Sequence, residues 1–205
     1  MSGYPVQFEV TSPPRFERIQ LLVRILLSAV LGWLGFTAGW FVGALYGVLP
    51  LVAAIAISTH GPERYLREDA PKIWRGLEWL LGVWAFNAIL VDTFPTETAR
   101  PVRGVIRFTG TPTVGSALLR FITSIPSGLV LSLLWCVGWL LWIVAAFAVL
   151  FTESVPQSLL AFQRGILRWN ARLVAYHASL VEEYPPFSVD TGVDETTRIG
   201  LEHRV

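Results

Sequence analysis

The sequence contains little charge, and two long stretches contain none. Of its 205 residues, 15% are charged, whereas soluble domains carry roughly 25%. No Asp, Glu, Lys or Arg occurs in residues 25–62 or in residues 121–152. Because about 20 apolar residues are enough to cross a hydrocarbon core of about 30 Å, these runs predict an integral membrane protein.

The usual signatures of catalysis and metal binding are also missing. Cys136 is the single cysteine and excludes an intramolecular disulfide, and the three histidines are scattered. The chain has no glycine-rich phosphate loop, no CxxC or HExxH spacing and no GxSxG elbow. We therefore predict no catalytic residue, no metal site and no cofactor. The net charge of +1 gives no general attraction to nucleic acid.

Each uncharged run is longer than one membrane crossing requires. A straight helix over residues 25–62 would reach about 55 Å at 1.5 Å per residue. We therefore interpret each run as a hairpin of two helices with a tight apolar turn. In the second run Pro126, Gly128 and Gly138 are candidate breaks.

Basic residues flank both hairpins but are absent from their turns, which predicts a multi-pass membrane protein with both termini in the cytoplasm. The stretch 74–92 is uncharged from Trp79 to Val91. It could lie at the interface, be buried or cross the membrane.

The two halves of the chain resemble each other. LLVRILLS (21–28) aligns with ALLRFITS (117–124), which places Arg24 over Arg120, and VDTFP (91–95) aligns with VEEYP (181–185). These matches predict an internal duplication, with repeats over residues 1–95 and 96–190 and a polar, disordered tail over 191–205. The predicted fold is all-α: each repeat is a hydrophobic hairpin plus an amphipathic helix. Short cytoplasmic strands are expected at 6–10, 102–108 and 186–189.

Several arginines are candidates for contact with lipid. Arg164, Arg168 and Arg172 share one face of a predicted amphipathic helix over 162–187, which is typical of a helix lying on anionic headgroups. Two alternatives are docking of this face on the protein's own strands and recognition of a specific ligand. Arg24 and Arg120 begin the apolar runs and are expected to extend to the headgroups, with a pathway-lining role as the alternative.

Three polar residues interrupt apolar surfaces. Asn170 and His177 lie seven residues apart on one helix stripe, and Asn87 aligns with His177 between the halves. Polar groups at membrane depth need partners, so hydrogen bonds between the halves are expected. The alternative is a spot that binds a ligand or a proton.

The second half carries a set of motifs that resembles a known family. These motifs are the segment 149–152, Pro156, Gly165, Arg168-Trp169 with Arg172, the Ala175-Tyr176 pair, and YPPFS at 184–188. Together they resemble the bacterial membrane family called domain of unknown function 4389. The first half resembles the same family as a degenerate copy, without the arginine pair and the full YPPF. The resemblance implies a membrane architecture, a location in the bacterial inner membrane and no particular activity.

The sequence favours a non-enzymatic membrane scaffold or accessory subunit that contacts anionic lipid and an unknown protein partner. One alternative is a small transporter or channel subunit, with a polar path of Asn87, Asn170 and His177 in a homo-oligomer. A second is a curvature-shaping hairpin protein, and a weaker third is an enzyme acting on lipid.

Overall fold

A computed structural model describes residues 4–33, 38–96 and 98–189. The described chain is mostly helical and carries one small sheet. Its elements in chain order are β1 (Val6–Val10), α1 (Arg18–Trp33), α2 (Ala38–His60), α3 (Pro62–Arg64), a π-helical turn (Tyr65–Asp69), α4 (Ala70–Asn87), β2 (Val102–Ile106), α5 (Val114–Thr123), α6 (Ile125–Thr152) and α7 (Gln157–His177). The tail predicted over 191–205 lies outside the described residues.

The sheet pairs one strand from each half of the chain. β1 and β2 run antiparallel, with Phe8 opposite Gly104. Along β1 the side chains alternate: Val6, Phe8 and Val10 are buried, while Gln7 and Glu9 are exposed, as expected of a strand with one face on a core. Two of the three predicted strands are thus confirmed. The described residues 186–189 form no strand.

The central layer of the fold is formed by α4 and α7. On one side it contacts the sheet: Trp74 Nε1 of α4 donates to Gly104 O at 3.3 Å, and Arg168 Nε of α7 donates to Phe8 O at 3.1 Å. On the other side it contacts α6. The rings of Trp84 and Trp135 lie 6.2 Å apart. The structure therefore has three layers: the sheet, then α4 and α7, then the apolar helices α1, α2, α5 and α6.

The second apolar run does not form the predicted hairpin. The helix breaks at Ser124, and α6 then continues without interruption through Gly128 and Gly138 to Thr152. Pro126 lies in the first turn, where a helix needs no amide donor, and an interior glycine costs only about 1 kcal/mol. The predicted hairpin of two helices within 121–152 is therefore wrong, because the break at Ser124 leaves the 28 residues that follow in one helix. Among the described residues, α6 is the helix long and apolar enough to cross a membrane.

The partner of α6 is α7, which returns beside it in the opposite direction. Ser124, just before α6, contacts His177 at the end of α7, and Gly138 in the middle of α6 accepts a bond from Gln163. The first run does give two helices, α1 and α2, separated by residues outside the described part. Here α1 packs against α6 and α2 packs against α5, so helices from different halves of the chain are neighbours.

A substitution at Gly104 tests the contact between the sheet and the central layer. A Cβ on Gly104 would lie 2.5 Å from the Trp74 ring, so Gly104→Ala must displace the indole or the strand. We expect a loss of unfolding free energy of about 1–3 kcal/mol, measured by chemical denaturation in detergent.

Gly76 supplies the matched control for this substitution. A Cβ there, in the interior of α4, meets no atom of the described chain within 4 Å. Gly76→Ala should be neutral or stabilise by up to about 1 kcal/mol. Equal unfolding free energies for the two variants would contradict the packing at Gly104.

Candidate functional site

Arg24 lies within the protein at the end of α4. Its side chain is fully buried, and Nη2 donates to Val91 O at 2.6 Å and to Asp92 Oδ1 at 2.9 Å. The guanidinium lies 4.4 Å from the centre of the Phe86 ring. Asp92 also accepts the amide of Glu17 at 2.6 Å, so the N-terminal end of α1 is bound to the same carboxylate. We call these groups the Arg24 site.

Arg120 occupies a similar position at the end of α7. Its side chain is 6% exposed, and Nη1 donates to Val181 O at 2.7 Å and to Tyr176 O. The guanidinium lies 4.4 Å from the centre of the Tyr176 ring. We call these groups the Arg120 site. In both sites a buried cation therefore binds an aromatic face and a carbonyl just past a helix end.

The backbone presents these carbonyls in the same way at both sites. Ile89 and Ser179 each have φ 58°, a left-handed conformation that stops the helix. The amides of Leu90 and Leu180 then bond back to Ala85 O and Ala175 O. A β-branched residue is rarely found in this conformation, and Ile89 is held there with its side chain fully buried.

Arg24 and Arg120 are buried within the protein, so they do not extend to the headgroups as expected from the sequence. From sequence alone, an arginine near the start of an apolar run is equally compatible with extension to the surface and with burial. The structure provides buried carbonyls, aromatic rings and, for Arg24, a carboxylate. Burial of a charge is tolerated only with such partners.

The arginine row of α7 lies beside strand β1. Arg164, Arg168 and Arg172 are all partly buried. Arg168 bonds to Phe8 O of β1, and the Arg172 guanidinium lies 5.8 Å from the centre of the Tyr4 ring. This arrangement corresponds to docking on the protein's own strands, which the sequence offers as the alternative to lipid contact. The remainder of α7 is largely buried, so α7 is a core helix and not the surface helix that the sequence predicts.

His177 and Asn87 have different partners among the described residues. His177 Nε2 contacts Tyr46 O at 2.6 Å and Nδ1 contacts Ser124 Oγ at 2.8 Å. Since a carbonyl only accepts, Nε2 carries a proton, and in the neutral imidazole the serine hydroxyl then donates to Nδ1. Asn87 instead accepts from Ser28 Oγ at 3.1 Å. Asn170 is buried within α7.

These histidine and asparagine contacts join helices: His177 connects α7 to α2 and to Ser124 at the start of α6, and Asn87 connects α4 to α1. Asn87 O also accepts the indole N–H of Trp142, in α6, at 2.7 Å. Such bonds are the expected inter-helix role. The described contacts of Asn87 and His177 have no residue in common and so form no continuous polar path.

Sequence reasoning missed a polar cluster at the N-terminal strand. Tyr4 Oη donates to Glu183 O at 2.9 Å, and Thr109 Oγ1 donates to Glu183 Oε2 at 2.6 Å. The Thr109 hydrogen bond is the main cause that lowers the pKa of Glu183, while burial raises the pKa of Tyr4. Both pairings connect residues more than 70 positions apart, so no local pattern reveals them.

Part of the second half of the chain matches a known family. The family described as "Domain of unknown function (DUF4389)" matches residues 115–188, which confirms the resemblance predicted for the second half. The match contains Arg120, Arg168 and His177. No curated protein and no solved structure matches the chain. The degenerate first copy stays a prediction.

A double-mutant cycle tests the Arg24 site. Arg24→Gln and Asp92→Asn each leave a buried partner unpaired, so we expect each to destabilise and the pair to be coupled by about 1–3 kcal/mol. The measurement is the unfolding free energy of the four proteins in detergent.

The exposed pair Arg64–Glu68, with N and O atoms 2.9 Å apart, is the control for this cycle. Because water screens these charges, its coupling should be much smaller. Additive effects of Arg24→Gln and Asp92→Asn would contradict the role assigned to the Arg24 site.

Proposed function

We propose that this protein is a non-enzymatic scaffold or accessory subunit that attaches to a membrane through its layer of apolar helices. The observation that carries the proposal is the distribution of exposed hydrophobic side chains. In the described part of the chain all but five of the large ones lie on α1, α2, α5 and α6, the exceptions being Trp79, Phe94, Val105, Tyr184 and Phe187. Soluble proteins rarely expose a surface of this kind without a partner.

The opposite face of the molecule is polar. The outward side of the sheet exposes Gln7, Glu9, Arg103 and Arg107, and Glu9 pairs across the strands with Arg103. One apolar side and one charged side suit a protein held at a membrane surface, with the sheet in water. In the bacterial inner membrane, the sheet and the residues that flank it would face the cytoplasm.

The proposal includes the internal duplication. The spacing of 96 positions between Arg24 and Arg120 also separates Phe8 from Gly104, which are paired partners in the sheet. A strand pair centred on equivalent residues is what a two-fold relation between the halves would produce. The similar Arg24 and Arg120 sites support the same interpretation. Parallel repeats related in this way are known in membrane proteins.

The non-enzymatic part of the proposal is supported by how the buried polar side chains are used. Arg24, Arg120, His177 and Asn87 each bind groups of neighbouring elements. An active site would need such groups directed at a substrate. Their contacts here instead fix the relative position of helices, which is the requirement of a scaffold.

The protein partner is proposed to bind the outward sheet face and not to add a strand. At the centre of the sheet both outer edges already have side-chain partners. Phe8 O accepts from Arg168, Gly104 N donates to Glu78 at 2.7 Å, and Gly104 O accepts from Trp74. Strand addition needs free edge groups, so contact through the exposed side chains is favoured.

A pair of matched substitutions tests membrane attachment. Leu140 on α6 is 66% exposed and Val105 on the sheet is 55% exposed. Aspartate at a hydrocarbon-facing position costs about 2.5–3.5 kcal/mol. Leu140→Asp should therefore lower partition into vesicles at least about tenfold, measured by flotation, whereas Val105→Asp should leave it unchanged.

The lipid composition of the vesicles separates apolar from electrostatic attachment. With neutral vesicles we expect binding to persist, since the apolar layer supplies it, and anionic lipid should add a salt-sensitive increment. A wild-type protein that does not float with either vesicle, or equal loss for both aspartate variants, would overturn the proposal.

A further inference from the structure

The long apolar helix α6 runs alongside strand β1. In the middle of α6, Gly138 accepts a bond from Gln163 of α7. Little more than one turn further along α7, on the opposite face, Arg168 bonds to Phe8 of β1. The strand is therefore level with the middle of α6, one helix diameter beyond α7.

The N-terminal segment follows α6 along its whole length. At the start of α6, Ser127 contacts Tyr184, while Tyr4 bonds to the adjacent Glu183. At the other end, the amide of Phe16 donates to Glu153 O at 2.8 Å. The 12 steps from Tyr4 to Phe16 span roughly 40 Å when extended, and the 28 residues of α6 span about 42 Å. The two segments thus cover the same distance side by side.

This arrangement is incompatible with α6 crossing a bilayer. If α6 stood upright, β1 and β2 would lie at the depth of the hydrocarbon core. The exposed, charged side chains of Glu9 and Arg103 would then face lipid. Charged side chains that face lipid at this depth are strongly disfavoured. By length and composition alone, α6 could span a membrane. The charged strands beside it rule out that orientation.

We propose that α6 lies in the plane of the membrane and that the layer of α1, α2, α5 and α6 is immersed in the acyl chains of a single leaflet. The protein is then monotopic: it enters one leaflet and does not cross. This inference rests on the proposed membrane attachment and adds its geometry. It differs from the predicted multi-pass topology, in which both hairpins span.

The polar contacts at both ends of α6 fit this orientation. Glu153 binds Arg15 at 3.0 Å and Arg18 at 3.3 Å at the C-terminal end. The exposed Glu183 lies near the N-terminal end, where Ser127 contacts the adjacent Tyr184. In an upright helix these two polar ends would be on opposite sides of the bilayer. In a flat helix both reach the headgroups of the same leaflet.

Depth measurements along one stripe of α6 distinguish the two orientations. Leu129, Leu140 and Phe151 are exposed and lie within about 40° of each other around the helix. In a Cys136→Ser background, each position would carry a single cysteine with a spin label, in vesicles of neutral and anionic phospholipid. Accessibility to oxygen and to a water-soluble nickel complex reports depth.

A flat helix gives nearly equal depths at the three positions, and this is the result we expect. An upright helix would put position 140 roughly 12–17 Å deeper than 129 and 151, at 1.5 Å per residue, and that result would overturn the in-plane orientation while leaving membrane attachment intact. A label at Val105 on the sheet should remain accessible to the nickel complex. Protection of Val105 at hydrocarbon depth would also overturn the proposal.

A different set of results would show that the protein does not attach to membranes at all. If the labelled proteins do not float with vesicles and all three α6 positions have equal, low accessibility in buffer, a second copy of the chain covers the apolar layer. Spin–spin broadening and a doubled mass in buffer identify that case, which overturns both proposals. Because the labelled side chains are exposed, the fold should be retained, which near-ultraviolet circular dichroism of the nine tryptophans would verify.

Discussion

A buried guanidinium bound to the carbonyl beyond a helix end is the interaction on which the rest of this structure depends. Arg24 fixes α1 to the end of α4, and Arg120 fixes α5 to the end of α7. Each cation has lost its water and is compensated by carbonyl oxygens and an aromatic face. Removing either partner exposes the other to an apolar environment, so the helices of each half cannot shift independently.

The sheet is held by a second set of contacts. Trp74 of α4 bonds to Gly104 O of β2, and Arg168 of α7 bonds to Phe8 O of β1. These bonds place β1 and β2 across α4 and α7, on the side away from the apolar helices.

The amphipathic pattern predicted for α7 is present, but α7 is a core helix and not the surface helix that this pattern suggests. The arginine row and the apolar stripe are both present. The arginine row lies beside β1, and the opposite side of the helix packs on α6. The hydrophobic periodicity of one helix identifies its polar side but not what covers that side. In this chain a strand some 160 positions earlier covers it through Arg168 and Phe8. The long-range pairing of Tyr4 with Glu183 has the same character.

The apolar runs, the strand at 6–10, a strand that begins at 102 and the family resemblance of the second half can all be predicted from the sequence, because each depends on local composition or on motifs along the chain. The second strand ends at Ile106 and not at the predicted residue 108. The continuation of α6 through Gly138, the burial of Arg24 and Arg120 and the core position of α7 are visible only in the folded chain. These outcomes depend on which distant groups compensate a buried charge or cover a polar face, and spacing along the chain does not specify those groups.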